Sequence, residues 1–356
     1  MIVHPFRSPS LDSRERGEHY GTSWATQIAR SVAAYERLFR AVGVSTAEAH
    51  QVAESSLGVI ADWYPAVLCE LEGIAAGSGV DLLQLMALNA RTEMLALHPP
   101  NGPGECSTSI VVPTKGAPRT IQTWDWHDET SESGLVWQYS LRHGRSVKCF
   151  TEMGMLGKIG VNNAGLGIHF NILNHASDGG RPGVPIHLIA RRILDDASTI
   201  EEAVDLARSA SVSASTVISV VTFTGDVADA ACIEICPEGV AVVRPDENGV
   251  LLHTNHFLAP RFVDGEATRD QGTTYLRLEH LREMTPALVA SNSFSERAAS
   301  MCGPAGGEAP VCYKPDMSVS FDQRWQTLLT VSLDVENFAL RYSPNSPAEL
   351  SDPLDF

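Results

Sequence analysis

A run of turn-forming residues about one third of the way along the chain constrains its fold more than any other feature. The six residues from Pro99 to Gly104 (PPNGPG) hold too many turn formers for a helix or a strand. Before this run, apolar residues recur at the three- and four-residue spacing of helices. After it, short stretches rich in β-branched and aromatic residues are typical of strands. The run therefore predicts a helical part followed by a part dominated by strands.

The helical part is predicted to contain amphipathic helices over 22–42, 47–71 and 82–97. Gly43 is expected to end the first helix, because glycine tolerates the left-handed conformation found just past a helix. Pro65 is expected to break or kink the second, because proline lacks the backbone N–H and its ring clashes with the preceding turn. Later helices are predicted over 186–194, opened by Pro185, and after Thr199, which has Glu202 at capping-box spacing.

The strands are predicted in two groups. The first forms one antiparallel meander with a hairpin turn at Lys115 and Gly116, and the last segment of the chain is strand again. Strand groups with helices before and between them favour an α+β architecture over a doubly wound one, in one compact domain, 1–356. The predicted strands are 109–112, 120–124, 135–140 and 147–151, then 217–223, 231–235, 240–243, 250–253 and 325–342.

The charge balance limits the partners. With 26 Lys and Arg against 43 Asp and Glu, the formal net charge of −17 argues against nucleic acids and anionic membrane surfaces. The chain has neither a long apolar run nor a signal-like start, so a soluble cytoplasmic protein is expected. It also lacks a GxGxxG, a P-loop and an HExxH motif, and no cofactor is predicted.

The seven cysteines include no CxxC pair and are too scattered for a disulfide framework, so most are expected to be reduced and buried. Cys106 differs in position, since it lies between the turn-forming run and the first predicted strand. On its own this is weak evidence for a nucleophile, because most single cysteines are small core residues.

Several segments resemble the isopenicillin N acyltransferase family of cysteine N-terminal-nucleophile hydrolases, in the order in which that family has them. The resemblance extends from Arg16 to about Pro315 and implies a four-layer αββα sandwich with mainly antiparallel sheets. The segments are ELEGIAAGSG at 70–79, ALNARTE at 87–93, ECST at 105–108, QTWD at 122–125, GKIGVN at 157–162, GVP at 183–185 and HTNH at 253–256.

The resemblance implies that the chain cleaves itself between Glu105 and Cys106, leaving associated fragments 1–105 and 106–356. In such a reaction the cysteine thiol attacks the carbonyl before it, so that its own amine becomes free. The reference pKa of an α-amine, about 7.7–8.0, is close to the value of about 8.5 for a thiol, so the amine can take the thiol proton. Nucleophile and base then belong to one residue.

Other site residues follow from the resemblance. Asp125 matches the carboxylate beside the nucleophile, where a strand-end aspartate is the ordinary alternative. Asn255 matches the side-chain donor of the oxyanion hole, where a turn-capping role is the alternative. Backbone donors near Asn162 are candidates for the same hole, although asparagine is common in glycine-rich turns. Gln122 reaches the site only if its strand bends or bulges, because regular pleating directs it away from Asp125.

The chain also departs from the family. Glu105 replaces the glycine that precedes the cysteine in many relatives. Relatives tend to have an arginine directly after the later cysteine motif, whereas the segment PVCYKP at 310–315 has Lys314 after Tyr313. A lysine supplies only a point charge because it lacks the guanidinium fork, so substrate preference is expected to differ. Cys236 replaces a serine of the acyltransferase and is predicted to be buried.

The sequence therefore predicts a cysteine amidase that cleaves a small linear amide through a Cys106 thioester. One alternative is an acyl-CoA-dependent acyltransferase, although no basic cluster is evident for the phosphates of the donor. Another is an inactive binding member that stays intact. A third uses His127 or His256 as base. His253 and His256 lack a third metal ligand nearby, so no metal is predicted. Homo-oligomer formation is left open.

Overall fold

Ten α-helices lie in the parts of the chain that the structure describes. The computed structural model describes residues 1–98, 106–268 and 273–356; the whole turn-forming run and Glu105 lie outside these ranges. Among the described residues, no helix is both long and apolar enough to span a membrane. The helices are α1 (Ser13–Ala41), α2 (Thr46–Trp63), α3 (Pro65–Ser78), α4 (Leu82–Asn89), α5 (Arg91–Leu97), α6 (Ile186–Asp196), α7 (Ile200–Ser209), α8 (Pro260–Val263), α9 (Thr273–Ala290) and α10 (Phe294–Cys302).

Pro65 breaks the second predicted helix. It is the first residue of α3, where its missing N–H removes no helical hydrogen bond. The α2 helix begins with a capping box in which Ser45 and Glu48 satisfy each other's backbone N–H groups. At the third predicted helix the chain forms α4 and α5, which are separated at Ala90. The helical character of the first part of the chain is thus confirmed.

The strands form two sheets. The large sheet has the order β1-β4-β5-β6-β7-β8-β9-β10, and the small sheet β11-β2-β3-β12-β13-β14. All neighbours are antiparallel except β1 and β4. The strands are β1 (Val3–Arg7), β2 (Ser107–Val111), β3 (Arg119–His127), β4 (Gly134–Ser140), β5 (Ser146–Glu152), β6 (Ile159–Asn162), β7 (Leu166–Leu173), β8 (Ser215–Thr224), β9 (Val227–Cys236), β10 (Gly239–Val243), β11 (Val250–His253), β12 (Trp325–Asp334), β13 (Ala339–Pro344) and β14 (Leu354–Asp355).

The predicted single meander is wrong. β2 and β3 do pair as the hairpin expected around Gly116, whose φ is +89°. The next two strands, β4 and β5, belong to the large sheet instead. A short 3-10 turn at Asp128–Thr130 lies between β3 and β4, where the chain passes from one sheet to the other. Local strand signals indicate where a strand lies but not which strand it pairs with.

The two sheets pack face to face between helices. Phe150 of β5 contacts Trp124 of β3 with ring centroids 5.3 Å apart, which joins the inner faces. On the outer face of the large sheet, Trp137 contacts Tyr20 of α1. On the outer face of the small sheet, Ile121 packs in a cluster with residues of α9 and α10. The described chain therefore has the order helix, sheet, sheet, helix, and the αββα expectation is confirmed.

A buried ionic cluster ties the amino-terminal helices to the large sheet. The carboxylate of Glu70 on α3 accepts from Arg16 of α1 at 2.7 and 2.8 Å and from Arg191 of α6 at 2.8 Å. Arg191 also donates to Asp195 at 2.7 Å. Burial alone would raise the pKa of Glu70, but Arg191 and Arg16 outweigh it and hold the pKa below its ordinary value. The charges are therefore mutually compensated.

Replacing Glu70 by glutamine should destabilise the protein strongly. The variant Glu70→Gln leaves two buried guanidinium groups without their shared carboxylate, so we expect the free energy of unfolding in urea to fall by about 3–5 kcal/mol. Glu72→Gln on the same helix is the matched control. Its exposed pair with Arg14 should be worth less than about 1 kcal/mol. Equal losses in the two variants would contradict the role given to the cluster.

Candidate active site

Cys106 lies directly before β2, where the two sheets and α9 meet. It is buried, with 4% of its surface exposed. Its backbone carbonyl accepts hydrogen bonds from Asn171 Nδ2 of β7 at 3.0 Å and from Arg277 Nη1 of α9 at 2.8 Å. The backbone of the predicted nucleophile is therefore held by donors from the opposite sheet and from a helix. Its sequence neighbour Glu105 lies outside the described residues.

A chain of buried polar side chains supports Asn171. Gln122 Nε2 donates to Asn171 Oδ1 at 2.9 Å and to Thr108 Oγ1 at 2.8 Å, and Thr108 Oγ1 donates to Asn171 Oδ1 at 2.8 Å. His169 Nδ1 lies 3.0 Å from Gln122 Oε1. Burial lowers the pKa of His169 to about 3, so the neutral ring is assigned as donor through Nδ1. Gln122 thus contacts the Cys106 carbonyl only through Asn171.

Asp125 lies on β3, the strand that pairs with β2 directly after Cys106. It is fully buried and pairs with Thr327 of β12. Leu328 is an extra residue in β12 at this level, which makes a bulge opposite Trp124 and Asp125. Strand alternation places Asp125 on the face away from Gln122. The bulge lies in β12 and not in β3, the strand of Gln122.

Tyr313 and Lys314 lie near the same bulge and differ in exposure. The backbone N–H of Tyr313 donates to Thr327 Oγ1 at 2.9 Å, which places this residue beside the pair formed by Thr327 and Asp125. The side chain of Lys314 is 58% exposed and lies 3.5 Å from Glu308. Lys314 therefore supplies a surface charge, and its predicted contact with substrate stays a prediction.

Asn255 follows β11 and is fixed from three sides. Its backbone N–H donates to Thr274 Oγ1 at 2.8 Å, and its Nδ2 donates to the carbonyl of Ile172 at 2.8 Å. Its Oδ1 accepts from Arg277 Nη1 at 2.9 Å. The orientation of the amide is thus determined, because only the oxygen can accept from a guanidinium.

Arg277 joins the two predicted catalytic residues. It is fully buried, and its Nη1 reaches the Cys106 carbonyl, Asn255 Oδ1 and, at 3.2 Å, Ser107 Oγ. Arg277 was not among the predicted site residues, because neither α9 nor α10 was predicted from the sequence. Pro286 inside α9 weakened the helical signal, although Ser293 and Glu296 form a capping box before α10 that was recognisable.

The side chain of Asn162 makes hydrogen bonds that hold neighbouring elements of the fold together. Its Nδ2 donates to the carbonyls of Leu194 and Ala197 at 3.0 and 2.8 Å, and its Oδ1 accepts from the backbone of Ala164 at 3.0 Å. The side chain therefore joins the turn after β6 to the end of α6. The role of nearby backbone donors in an oxyanion hole stays a prediction.

The two candidate bases, His127 and His256, are buried. Burial lowers the pKa of both His127 and His256 to about 4. The ring of His127 lies against Trp325, and His256 Nδ1 lies 2.9 Å from Thr274 Oγ1. His253 Nε2 lies 2.9 Å from Glu234 Oε1. Within the described ranges, no group of His, Cys, Asp and Glu is arranged to hold a metal ion.

The cysteines follow the expected pattern in most cases. No disulfide joins the cysteines, all of which lie in the described parts of the chain. Cys236 is buried as predicted, whereas Cys69 is exposed. Cys302 and Cys312 approach with their sulfur atoms 3.6 Å apart, close to Tyr313 in the chain.

The sequence pattern of the family described as acyl-coenzyme A:6-aminopenicillanic acid acyl-transferase matches residues 112–349. The chain belongs to this family. The matched region starts after Cys106 and contains Asp125, Asn255 and Arg277. The expectation from the sequence motifs is thereby confirmed at the level of the family.

Individual proteins are also similar to this family member. The acyl-coenzyme A:6-aminopenicillanic-acid-acyltransferase 40 kDa form of Emericella nidulans is 29% identical over 272 residues, covering 75% of this chain and 74% of that protein. Penicillin V acylase from Agrobacterium tumefaciens has a TM-score of 0.44 at 16% identity, covering 67% of this chain and 83% of its own. The Caenorhabditis elegans ortholog of N-acylethanolamine-hydrolyzing acid amidase has a TM-score of 0.43 at 15% identity, covering 63% and 100%.

Replacing Arg277 by methionine should loosen the site. Three acceptors, on Cys106, Ser107 and Asn255, lose a charged donor in Arg277→Met, so we expect the free energy of unfolding to fall by about 1–3 kcal/mol. Urea unfolding in a Cys106→Ala background compares chains that lack the thiol. Exposed Arg282 on the same helix supplies the control, since Arg282→Met should change stability by less than about 0.5 kcal/mol. An unchanged midpoint for Arg277→Met would refute the assignment.

Proposed function

We propose that this member of the family is a self-processing cysteine amidase that cleaves a small linear amide through a Cys106 thioester. The observation that carries the proposal is the buried contact of one guanidinium nitrogen with the Cys106 carbonyl at 2.8 Å and Asn255 Oδ1 at 2.9 Å. The nucleophile and the oxyanion donor implied by the family motifs are thus fixed relative to each other. Pre-orientation of this kind is what acyl transfer requires.

The first reaction is self-cleavage between Glu105 and Cys106. The thiol sulfur attacks the Glu105 carbonyl carbon, a carbon–sulfur bond forms, and the carbon–nitrogen bond breaks. The α-nitrogen takes up the proton that the thiol released. Water then hydrolyses the thioester, which leaves a Glu105 carboxyl group and restores the Cys106 thiol beside a free α-amine.

The fragments 1–105 and 106–356 stay together in this proposal. β1 from the first fragment pairs with β4 from the second along Val3–Arg7. The buried ionic cluster also joins the two fragments, because Arg16 and Glu70 belong to the first fragment and Arg191 to the second. Cutting one peptide bond removes none of these contacts.

Turnover uses the amine and thiol of the same residue. The freed amine takes the thiol proton, and the thiolate attacks the substrate amide to give an oxyanion that Asn255 stabilises through Nδ2. The leaving amine is protonated, and water hydrolyses the thioester. Asp125 stabilises the α-ammonium of Cys106, a role supported by strand register. Ser107 pairs with Thr123, which places Cys106 opposite Trp124 and next to Asp125.

Acyl transfer is the second candidate. It is favoured by the family description and by the Emericella nidulans relative, both named for transfer to 6-aminopenicillanic acid. The two functions differ in the acceptor of the acyl group, water or an amine. A panel of N-acyl and N-aminoacyl amides, assayed with and without added 6-aminopenicillanic acid, separates them. Hydrolysis alone supports the first function, and formation of the new amide supports the second.

Replacing Cys106 by alanine should abolish both reactions. Purified wild-type protein should separate under denaturing conditions into fragments that begin at Met1 and Cys106, identified by mass spectrometry. Cys106→Ala should remain one chain and lose amide hydrolysis by a thousandfold or more, roughly as other enzymes do without their nucleophile. His127→Ala and His256→Ala are the controls and should retain both reactions. Loss of turnover with normal cleavage in either histidine variant would instead support a cysteine–histidine pair.

Asn255 should matter mainly for the chemical step. In Asn255→Ala we expect kcat to fall by about 10²–10³-fold, the usual effect of removing one oxyanion donor, with a much smaller change in KM. Asn248→Ala, at an exposed position before β11, should leave both constants unchanged. A large increase in KM at constant kcat would assign Asn255 to substrate binding instead.

A further inference from the structure

Lys158 is a buried cation on the inner side of the small sheet. It lies directly before β6 and is 1% exposed. Its Nζ lies 3.4 Å from the centre of the Trp124 ring and 2.9 Å from Glu152 Oε2. Burying an ammonium group is costly unless negative charge or an aromatic face compensates it. The side chain therefore has a specific environment that a surface lysine does not need.

Glu152 does not belong to Lys158 alone. The same oxygen, Oε2, lies 3.1 Å from Arg91 Nη2, and the hydroxyl of Tyr35 donates to Oε1. Arg91 itself lies 4.0 Å from the centre of the Trp126 ring. Two cations thus share one carboxylate oxygen. The cluster of Arg91, Lys158 and Glu152 consequently has a positive charge left for another anion.

Two other titratable groups face this cluster, and neither is fully charged near pH 7. Burial, followed by the charges of Arg91 and Lys158, lowers the pKa of His187 on α6 well below its usual range. Burial raises the pKa of Glu93 on α5 to about 7, and its Oε1 accepts from the backbone of Ile186 at 2.8 Å. Neither group competes fully for the remaining positive charge near pH 7.

The strand register indicates that the Cys106 side chain projects to the same face of the small sheet as Lys158. Ser107 pairs with Thr123, so the next pair along the same register is Cys106 and Trp124. The Lys158 ammonium group lies over the face of the Trp124 ring. Directly opposite residues of an antiparallel pair project to the same face. Burial lowers the pKa of Lys158 to about 7, whereas the charges of Glu152 and of the Cys106 thiolate favour the ammonium. The amine and the thiol therefore interact electrostatically.

The uncleaved chain has a chemical problem that the mature enzyme does not have. Before cleavage the nitrogen of Cys106 is an amide, so no α-amine is available to take the thiol proton. A free thiol with a pKa of about 8.5 is only a few per cent thiolate at pH 7. A neighbouring cation increases that fraction.

We propose that Lys158 is a positioning residue for self-cleavage, and that its ammonium group, held by Glu152 on the face of Trp124, favours the Cys106 thiolate in the uncleaved chain. This inference rests on the proposed function of Cys106. Lys158 keeps its own protons throughout: the thiol proton ends on the α-nitrogen as the new carbon–sulfur bond replaces the carbon–nitrogen bond.

The test follows self-cleavage of full-length chains made by cell-free synthesis over a range of pH. We expect Lys158→Met to slow cleavage at pH 7 by about tenfold, equivalent to about one unit in the thiol pKa, and to move the half-maximal rate to higher pH. Lys158→Arg keeps the charge and should cleave at nearly the wild-type rate. Lys148→Met is the matched control. Lys148, on β5, lies 4.9 Å from the ring centre of Phe338 and should be replaceable without effect.

Each outcome decides the inference. Circular dichroism shows whether Lys158→Met folds; if it does not, Lys158→Gln replaces it, and alkylation of Cys106 by iodoacetamide against pH provides a second measurement. An unchanged rate and pH midpoint in a folded neutral variant would overturn the inference, as would a Lys158→Arg chain that folds but does not cleave. Cleavage by Cys106→Ala would instead overturn the proposed function itself.

Discussion

One buried guanidinium group connects the elements that meet at the candidate site. Arg277 Nη1 contacts the end of β2 through the Cys106 carbonyl and the end of β11 through Asn255 Oδ1. A fully buried guanidinium is tolerated only where acceptors surround it, so both strand ends and α9 must adopt one relative arrangement for the fold to be stable. The position of α9 against the small sheet and the geometry of the site are therefore consequences of the same contacts.

The space between the sheets reinforces this arrangement. Gln122, Thr108 and Asn171 form a buried polar chain in which each contact lies between 2.8 and 2.9 Å. Such a network stabilises only when its members are satisfied together, which favours one register between the sheets. Because Asn171 belongs to the large sheet and Cys106 to the small one, a slip of either sheet would remove a donor from the Cys106 carbonyl. The inner face of the sandwich thus positions the backbone of Cys106.

The sequence predicted the parts of this arrangement that depend on local signals. Helix caps, proline breaks and β-branched runs located most helices and strands, and the family motifs drew attention to Cys106, Asp125 and Asn255. Which strands pair with each other was not predictable in the same way. The strands after β3 enter the large sheet because of tertiary packing, and no local pattern distinguishes that course from a meander.

The two buried cations illustrate the same limit. Arg277 lies in a segment with a weak helical signal, and Lys158 lies in the GKIGVN motif, which drew attention to Asn162 and not to the lysine. Neither residue type indicates burial, because arginine and lysine are almost always exposed unless they are paired. Only the fold shows that both are buried around Cys106, one within 2.8 Å of its carbonyl and the other on the ring of its neighbour Trp124. Their value to the site therefore depends on contacts between residues far apart in the chain.

The distribution of charge around Cys106 suits the two reactions proposed for this residue. In the proposed first reaction the nitrogen of Cys106 is neutral, and positive charge for the thiolate has to come from elsewhere, which Lys158 provides from the inner face. After cleavage the new α-ammonium adds a positive charge beside the same sulfur. A nearby anion, and not a further cation, would then stabilise the site. Asp125, on the outer face of the same sheet, is the anion proposed for that second stage. Placing the two charges on opposite faces keeps them from neutralising each other directly, so that one fixed site can serve both stages without rearranging its core.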